Sequence, residues 1–337
     1  MTQKASICYW SDRTVCEPEL TWYTNASMNA RTIVTTYLLA QAFGTAAWWC
    51  ALFIVPASIR WFQPESWPDD ALLGFWLADG LLVVGGSLAS ALMVLKRLPY
   101  SGIAIWMLAA TTWYPTLYCI SVSTLTGEAW LASGLMCCMA GLTLSMATIH
   151  GTDHQSPAMF RVVTMIKTSA VVWTFTQLVI FWGVFLWVLP MAILELEGRL
   201  ELARFKHSLQ DLFSMAAFIA SSWLGLSSAW TMATSGEGTP LPTATASKLV
   251  IAGPYRWIRN PMAVAGILQG IAVGWWFGSP AVIAYACTGI PVWHYLVRPS
   301  EEADLLMRFG QDYESYRKSV RLWIPRTRKS QFESLRY

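Results

Sequence analysis

The sequence predicts an all-α, polytopic helical membrane protein. About eight transmembrane segments are expected, the last two forming a C-terminal helical hairpin, followed by an amphipathic surface helix. Three observations carry this. Of 337 residues, 55% are hydrophobic and only 13% are charged, about half the charge of a soluble domain. The apolar residues come in long blocks. Most blocks reach the roughly 20 residues that a helix needs to cross a bilayer.

Taken in order, the apolar blocks lie at 33–58, 72–95, 102–122, 129–149, 169–194 and 212–233. Two shorter runs follow, 262–277 and 281–297, separated by Gly278-Ser279-Pro280. Those three residues break helices and favour turns, so a tight hairpin is expected. Beyond it, Leu305, Leu306, Phe309, Tyr313, Tyr316 and Val320 recur at three and four, one apolar face of a surface helix.

Charge sets the expected orientation. Lys96-Arg97, the loop with Arg161 and Lys167, the loop with Lys248, Arg256 and Arg259, and the basic tail all fall on one side. The tail holds Arg321, Arg326, Arg328, Lys329 and Arg336. Positive charge accumulates on cytoplasmic loops, so both termini are expected in the cytoplasm. Arg199, Arg204, Lys206 and His207 fall on the other side, diluted by Glu195, Glu197, Glu201 and Asp211. Met1 to Asn29 is polar and mixed, unlike a cleaved signal peptide.

A domain boundary is expected in the polar, turn-rich stretch at 150–168. It separates an N-terminal four-span region, 1–155, without a chemical motif, from a module at 160–337. The seven cysteines fall largely inside apolar segments, as small packing residues do. His150 and His154, with Asp153 between, have the spacing of a metal face, yet only four His exist and no metal site is expected. Asp79 lies within a span, where a carboxylate needs a partner or water.

Chemistry concentrates between 236 and 326. Gly253-Pro254 makes a turn that lets backbone approach a ligand. Tyr255 adds a ring and a hydroxyl. Arg256 and Arg259 are three apart and would share a face on a helical turn. Asn260 precedes Pro261, which can open a helix whose free N–H groups meet an anion. The hairpin should return Glu301-Glu302 to this loop. Basic groups, acids and aromatic faces together suit a ligand with an ammonium, a carboxylate and a sulfonium, which points to S-adenosyl-L-methionine. A soluble nucleotide loop is absent: Gly85-Gly86 sits inside a span.

From about 165 to 326 the chain resembles the isoprenylcysteine carboxyl methyltransferase-like family of membrane methyltransferases. Gly253, Tyr255, Arg259, Asn260 and Pro261 match its turn, Glu301-Glu302 its acidic pair, and Phe309, Gly310, Tyr313 and Tyr316 its final helix. Gly-Glu-Gly-Thr-Pro at 236–240 resembles prokaryotic members, which implies a prokaryotic plasma (inner) membrane. Asn260 stands where the prenylcysteine enzymes carry His, and Ala263 where Tyr is usual. The resemblance implies transfer of a methyl group from S-adenosyl-L-methionine to a lipophilic substrate, through its carboxyl, amine or thiol. It implies a pocket roofed by the hairpin and the last helix, open to lipid. Arg259 and Glu302 become the expected catalytic residues. Gly253, Tyr255, Arg256, Asn260, Pro261, Glu301, Glu302, Tyr313 and Tyr316 are expected to bind cofactor.

Two other function classes fit parts of the sequence. A membrane reductase of sterol-reductase-like architecture would use Arg256 and Arg259 to hold the phosphates of a nicotinamide cofactor. A transporter or scaffold would account for the first four spans. The expected partners are the bilayer and a lipophilic substrate, with no nucleic acid.

Overall fold

The computed structural model describes residues 17–68, 70–152, 167–236 and 248–325. Among them are helices and no strands. In order they are α1 (Glu17–Ile54), α2 (Leu73–Leu95), α3 (Ser101–Thr126), α4 (Trp130–Thr152), α5 (Thr168–Arg199), α6 (Gln210–Ser235), α7 (Pro261–Phe277), α8 (Pro280–Val297) and α9 (Arg298–Ser319). Seven are long and apolar enough to cross a membrane, and α7 is a shorter apolar helix. The eight expected segments are thus present, the seventh falling short of a full span by length. α5 runs beyond its expected end at 194 because Glu195 and Arg199 pair one turn apart, which favours helix.

Small polar residues draw the first spans together. Between α3 and α4, Ser123 meets Ser133 at 2.8 Å, and Thr116 donates to the Met136 carbonyl at 3.2 Å. Side chains of this size let membrane helices approach closely. Tyr37 on α1 donates to the Met139 carbonyl of α4 at 2.9 Å. Asp79 accepts from Trp49 Nε1 at 3.2 Å, which supplies the partner that an acid in a span requires.

The two halves meet through α5. Glu195 accepts from the backbone N–H of Leu131 at the start of α4, at 2.9 Å. Arg199 pairs with Glu195 and donates to the Arg60 carbonyl. An acid at a helix start offsets the dipole and satisfies an orphan donor. Two of the basic residues that broke the charge pattern on this side therefore have acidic partners: Arg204 likewise lies 3.5 Å from Glu197.

The hairpin is built by its caps. Asn260 Oδ1 accepts from the N–H of Ala263, and Pro261 occupies the first turn of α7. Gly278 closes α7 in the left-handed region, Ser279 caps α8 by accepting from Val282, and Pro280 opens it. The turn is tied down from outside. Glu197 accepts from Ser279 Oγ at 2.8 Å and Ala281 N at 3.2 Å. Gln210 donates to the Trp275 carbonyl, and Phe205 N–H to that of Gly278. The far end of the hairpin is fixed, and its near end carries the motif.

Candidate functional site

The motif loop runs without helix or strand through 249–252 into a 3-10 turn at Gly253–Arg256. Gly253 has φ +54°, and a Cβ there would lie 2.5 Å from Thr231 Oγ1. Only glycine fits, because L side chains disfavour that φ and α6 lies against the backbone. The turn buries Tyr255 and leaves Arg256 exposed. It ends at Arg256, so Arg256 and Arg259 do not share a face as their spacing suggested. The Arg259 N–H donates to the Arg321 carbonyl at 3.0 Å, which ties the loop to the segment after α9.

α9 closes over this loop. Tyr313, Tyr316 and Val320 form a buried cluster with Leu249, Ile251, Leu305 and Phe309. Tyr316 donates from its hydroxyl to the Tyr255 carbonyl at 2.8 Å. Leu306, placed on the same face by the sequence pattern, is exposed and lines a cavity instead. The reason is that Leu305 takes the buried place, and Leu306, the next residue, points about 100° away around the helix. Asp304 is also buried, where its partner Arg308 satisfies it.

Glu301 and Glu302 are consecutive, so they point about 100° apart around the helix. Glu302 accepts from Arg259 Nη1 at 2.8 Å and from Arg298 Nε at 3.0 Å, and Arg317 lies 3.9 Å away. Glu301 has no ion pair or side-chain hydrogen bond among the described residues. Burial, then its neighbours Glu302 and Asp304, push its carboxyl up to about 7. Burial also raises the hydroxyls of Tyr255 and Tyr316, and that of Tyr313 to about 12. Arg259 Nε is buried with no hydrogen-bond partner. The loop and helix thus hold one unmet cationic donor and one unmet acid.

Beside Glu302 lies a cavity of about 410 Å³, lined by His294, Tyr295, Arg298, Leu306 and Arg317 among others. Sequence reasoning missed His294 and Arg298. The available signal was the recurrence of His294, Arg298 and Glu302 at intervals of four, one face running from α8 into α9. Of the expected site residues, Gly253, Tyr255, Arg259, Asn260, Pro261, Glu301, Glu302, Tyr313 and Tyr316 are brought together around this loop. Arg256 faces outward, and the Asn260 side chain is occupied as a helix cap.

Several expectations lie outside the described residues: the boundary stretch at 153–166 with Asp153 and His154, the 237–240 element, and the tail from Arg326. His150 is described, buried on Ser101 Oγ at 2.8 Å. No group of three potential metal ligands occurs among the described residues.

Residues 209–312 match the family model described as phospholipid methyltransferase. That family is one of the isoprenylcysteine carboxyl methyltransferase-like membrane methyltransferases. The matched phospholipid methyltransferase segment takes in α6, the motif loop, the hairpin and the Glu301-Glu302 pair, and it supports a membrane methyltransferase. Tyr313 and Tyr316 lie just past it, and the first four spans lie outside it. No curated protein and no solved structure matches the chain significantly.

Proposed function

We propose that the chain transfers a methyl group from S-adenosyl-L-methionine to a lipophilic acceptor at the membrane surface. The observation that carries this reading is one unpartnered donor, Arg259 Nε, beside one carboxyl without an ion pair among the described residues, Glu301, inside the segment that matches a methyltransferase family. A zwitterionic amino-acid end answers both: its carboxylate would take the Arg259 donor and its ammonium the Glu301 carboxylate. A buried donor or acid without a partner costs roughly 1–3 kcal/mol, so a complementary ligand gains by meeting both. The bound cofactor supplies an electrophilic methyl group on a sulfonium.

The chain's own residues would then position and exclude water. Glu302 holds the Arg259 guanidinium in a fixed orientation, and Arg298 holds Glu302. Tyr255, Tyr313 and Tyr316 give the loop a dry aromatic floor. Fixing donor and acceptor in line is the larger part of such catalysis. A carboxylate acceptor needs only a cation to orient it, whereas an amine or thiol also gives up a proton.

Calorimetry of the detergent-purified chain with S-adenosylhomocysteine tests this reading. Saturable binding, absent with a reduced nicotinamide cofactor, is expected. Binding of the nicotinamide cofactor alone would replace the methyltransferase reading with a reductase.

The proposal also assigns the methyltransferase module to 160–337 and the side bearing Arg97, Arg256 and Arg321 to the cytoplasm of a plasma membrane. Single cysteines at Arg97 and Arg256, in a chain freed of its native cysteines, should resist an impermeant thiol reagent in sealed cells. Labelling of both in intact cells would invert the orientation.

A further inference from the structure

Beyond Glu302 the hydrogen-bonded line continues to His294, which has no part in the methyl-transfer reading. Arg298 spans two acceptors: its Nε donates to Glu302 Oε1 at 3.0 Å, and its Nη1 lies 3.1 Å from His294 Nε2. A guanidinium has no acceptor, so the imidazole nitrogen that meets it must present a lone pair. Glu302 Oε1 in turn accepts from Arg259 Nη1 at 2.8 Å. His294, Arg298, Glu302 and Arg259 thus stand in one line. It runs inward, since the side chains of Arg298, Glu302 and Arg259 are 28%, 15% and 13% exposed. Arg317 stands aside from it, paired with Glu314 at 2.9 Å and 3.9 Å from Glu302.

The outer end of the line is itself held. Trp323, in the segment after α9, stacks on the His294 ring with 22° between the planes, and its indole Nε1 lies 3.4 Å from Nδ1. Trp323 also meets Trp293 edge to face, 5.3 Å between centroids. In the same segment, the Arg321 carbonyl accepts from the Arg259 N–H. One short stretch of chain therefore touches both ends of the line. An imidazole with hydrogen on one ring nitrogen offers a single in-plane lone pair. The shorter contact, to Arg298, takes it, and the indole holds the ring by its face.

We propose that His294 is a positioning residue for Arg259, acting through Arg298 and Glu302, with Trp323 fixing its ring. Without the imidazole acceptor, Arg298 Nη1 would turn into the adjacent cavity, which both side chains line, and draw Nε away from Glu302. Glu302 would then hold Arg259 alone and be free to change rotamer. Arg259 Nε, buried without a hydrogen-bond partner, would lose its aim. The inference deepens the methyl-transfer reading and rests on it for the ligand, whereas the coupling along the line does not depend on that reading.

The test uses the full chain in detergent and two readouts. His294→Phe keeps a ring for Trp323 and removes the acceptor, and His294→Gln restores an acceptor. The first readout is a double-mutant cycle in melting temperature between His294→Phe and Glu302→Gln. Independent sites give additive shifts; the line requires that His294→Phe cost much less once Glu302 is already changed. Additive shifts overturn the proposal. Should Glu302→Gln fail to fold, Arg298→Gln takes its place in the cycle. The second readout is S-adenosylhomocysteine affinity, which should fall roughly five-fold in His294→Phe and recover in His294→Gln. Parent affinity in the Phe variant, or an equal loss in both variants, overturns the proposal and leaves the methyl-transfer reading standing. A parent chain that binds no S-adenosylhomocysteine sinks that reading instead, and the melting cycle still decides the line.

Discussion

Arg259 Nη1 lies 2.8 Å from Glu302 Oε1, across 43 residues of sequence and the whole hairpin. The two side chains are 13% and 15% exposed, so the pair is largely removed from water. Removing one partner leaves a charge that the interior must carry alone. Glu302→Gln should therefore destabilise the fold by roughly 2–3 kcal/mol, since Arg259 and Arg298 lose the carboxylate they share. The measurement is the detergent melting temperature. Arg259→Lys should cost less stability but more function, because an ammonium cannot reproduce the fork. A Glu302→Gln chain that melts with the parent would show that the arginines are solvated rather than paired.

Glu301 should make ligand binding depend on pH. Burial, then Glu302 and Asp304, push its carboxyl from the ordinary 4.5 up to about 7. The carboxylate, not the acid, would hold an ammonium, so S-adenosylhomocysteine affinity should rise as pH increases through about 7 and then level. Stability should move the other way. The folded chain holds this proton more tightly than the unfolded one, so stability falls from about pH 4.5 to about pH 7 and is flat above. Glu301→Gln should abolish both slopes. Calorimetry and melting curves across that range would read them, and a Gln variant with the parent's slopes would assign them to another group.

Gly253→Ala should be costly for two separable reasons. The positive φ costs an L residue roughly 1–2 kcal/mol, and the new methyl meets Thr231 Oγ1. Adding Thr231→Ala should relieve the contact but not the backbone strain, so stability should return only in part. Complete recovery would mean that the dihedral carries no cost here.

Tyr316→Phe removes the donor to the Tyr255 carbonyl and leaves that buried oxygen unpaired. A loss of roughly 1–3 kcal/mol is expected, with the loop around 253–259 exchanging its amides faster. Unchanged exchange in that loop would show that packing of the ring alone holds it.

Much of this was written locally in the sequence. Gly278-Ser279-Pro280 announces a C-cap, an N-cap and a first-turn proline in three consecutive residues, and Asn260-Pro261 does the same for α7. Such signals are read within one turn of helix. The ties of the hairpin turn were not legible: Glu197 meets Ser279 across 82 residues and Gln210 meets Trp275 across 65. No spacing rule reaches that far. The orientation of the Glu301-Glu302 pair was hidden for another reason. Adjacent helix positions diverge, and only the packing of Leu305 and Phe309 on the motif loop decides which acid meets the arginines. The division at 150–168 had a clear compositional signal, yet Glu195 and Arg199 reach into the first half, so α5 is physically shared.

The clamped turn at Gly278-Ser279 makes the hairpin a cantilever. Its root is held by Glu197, Gln210 and Phe205, and its arms extend roughly 25 Å toward the motif. A beam fixed at one end bends most at the other. Compliance should therefore collect at the tip, around the π-helical turn Trp293–Val297 and the start of α9, where a ligand arrives. A mutation at the root, such as Glu197→Gln, would then loosen the tip a membrane's thickness away. Hydrogen exchange should accelerate at 293–300 in that variant, although no residue there has been changed.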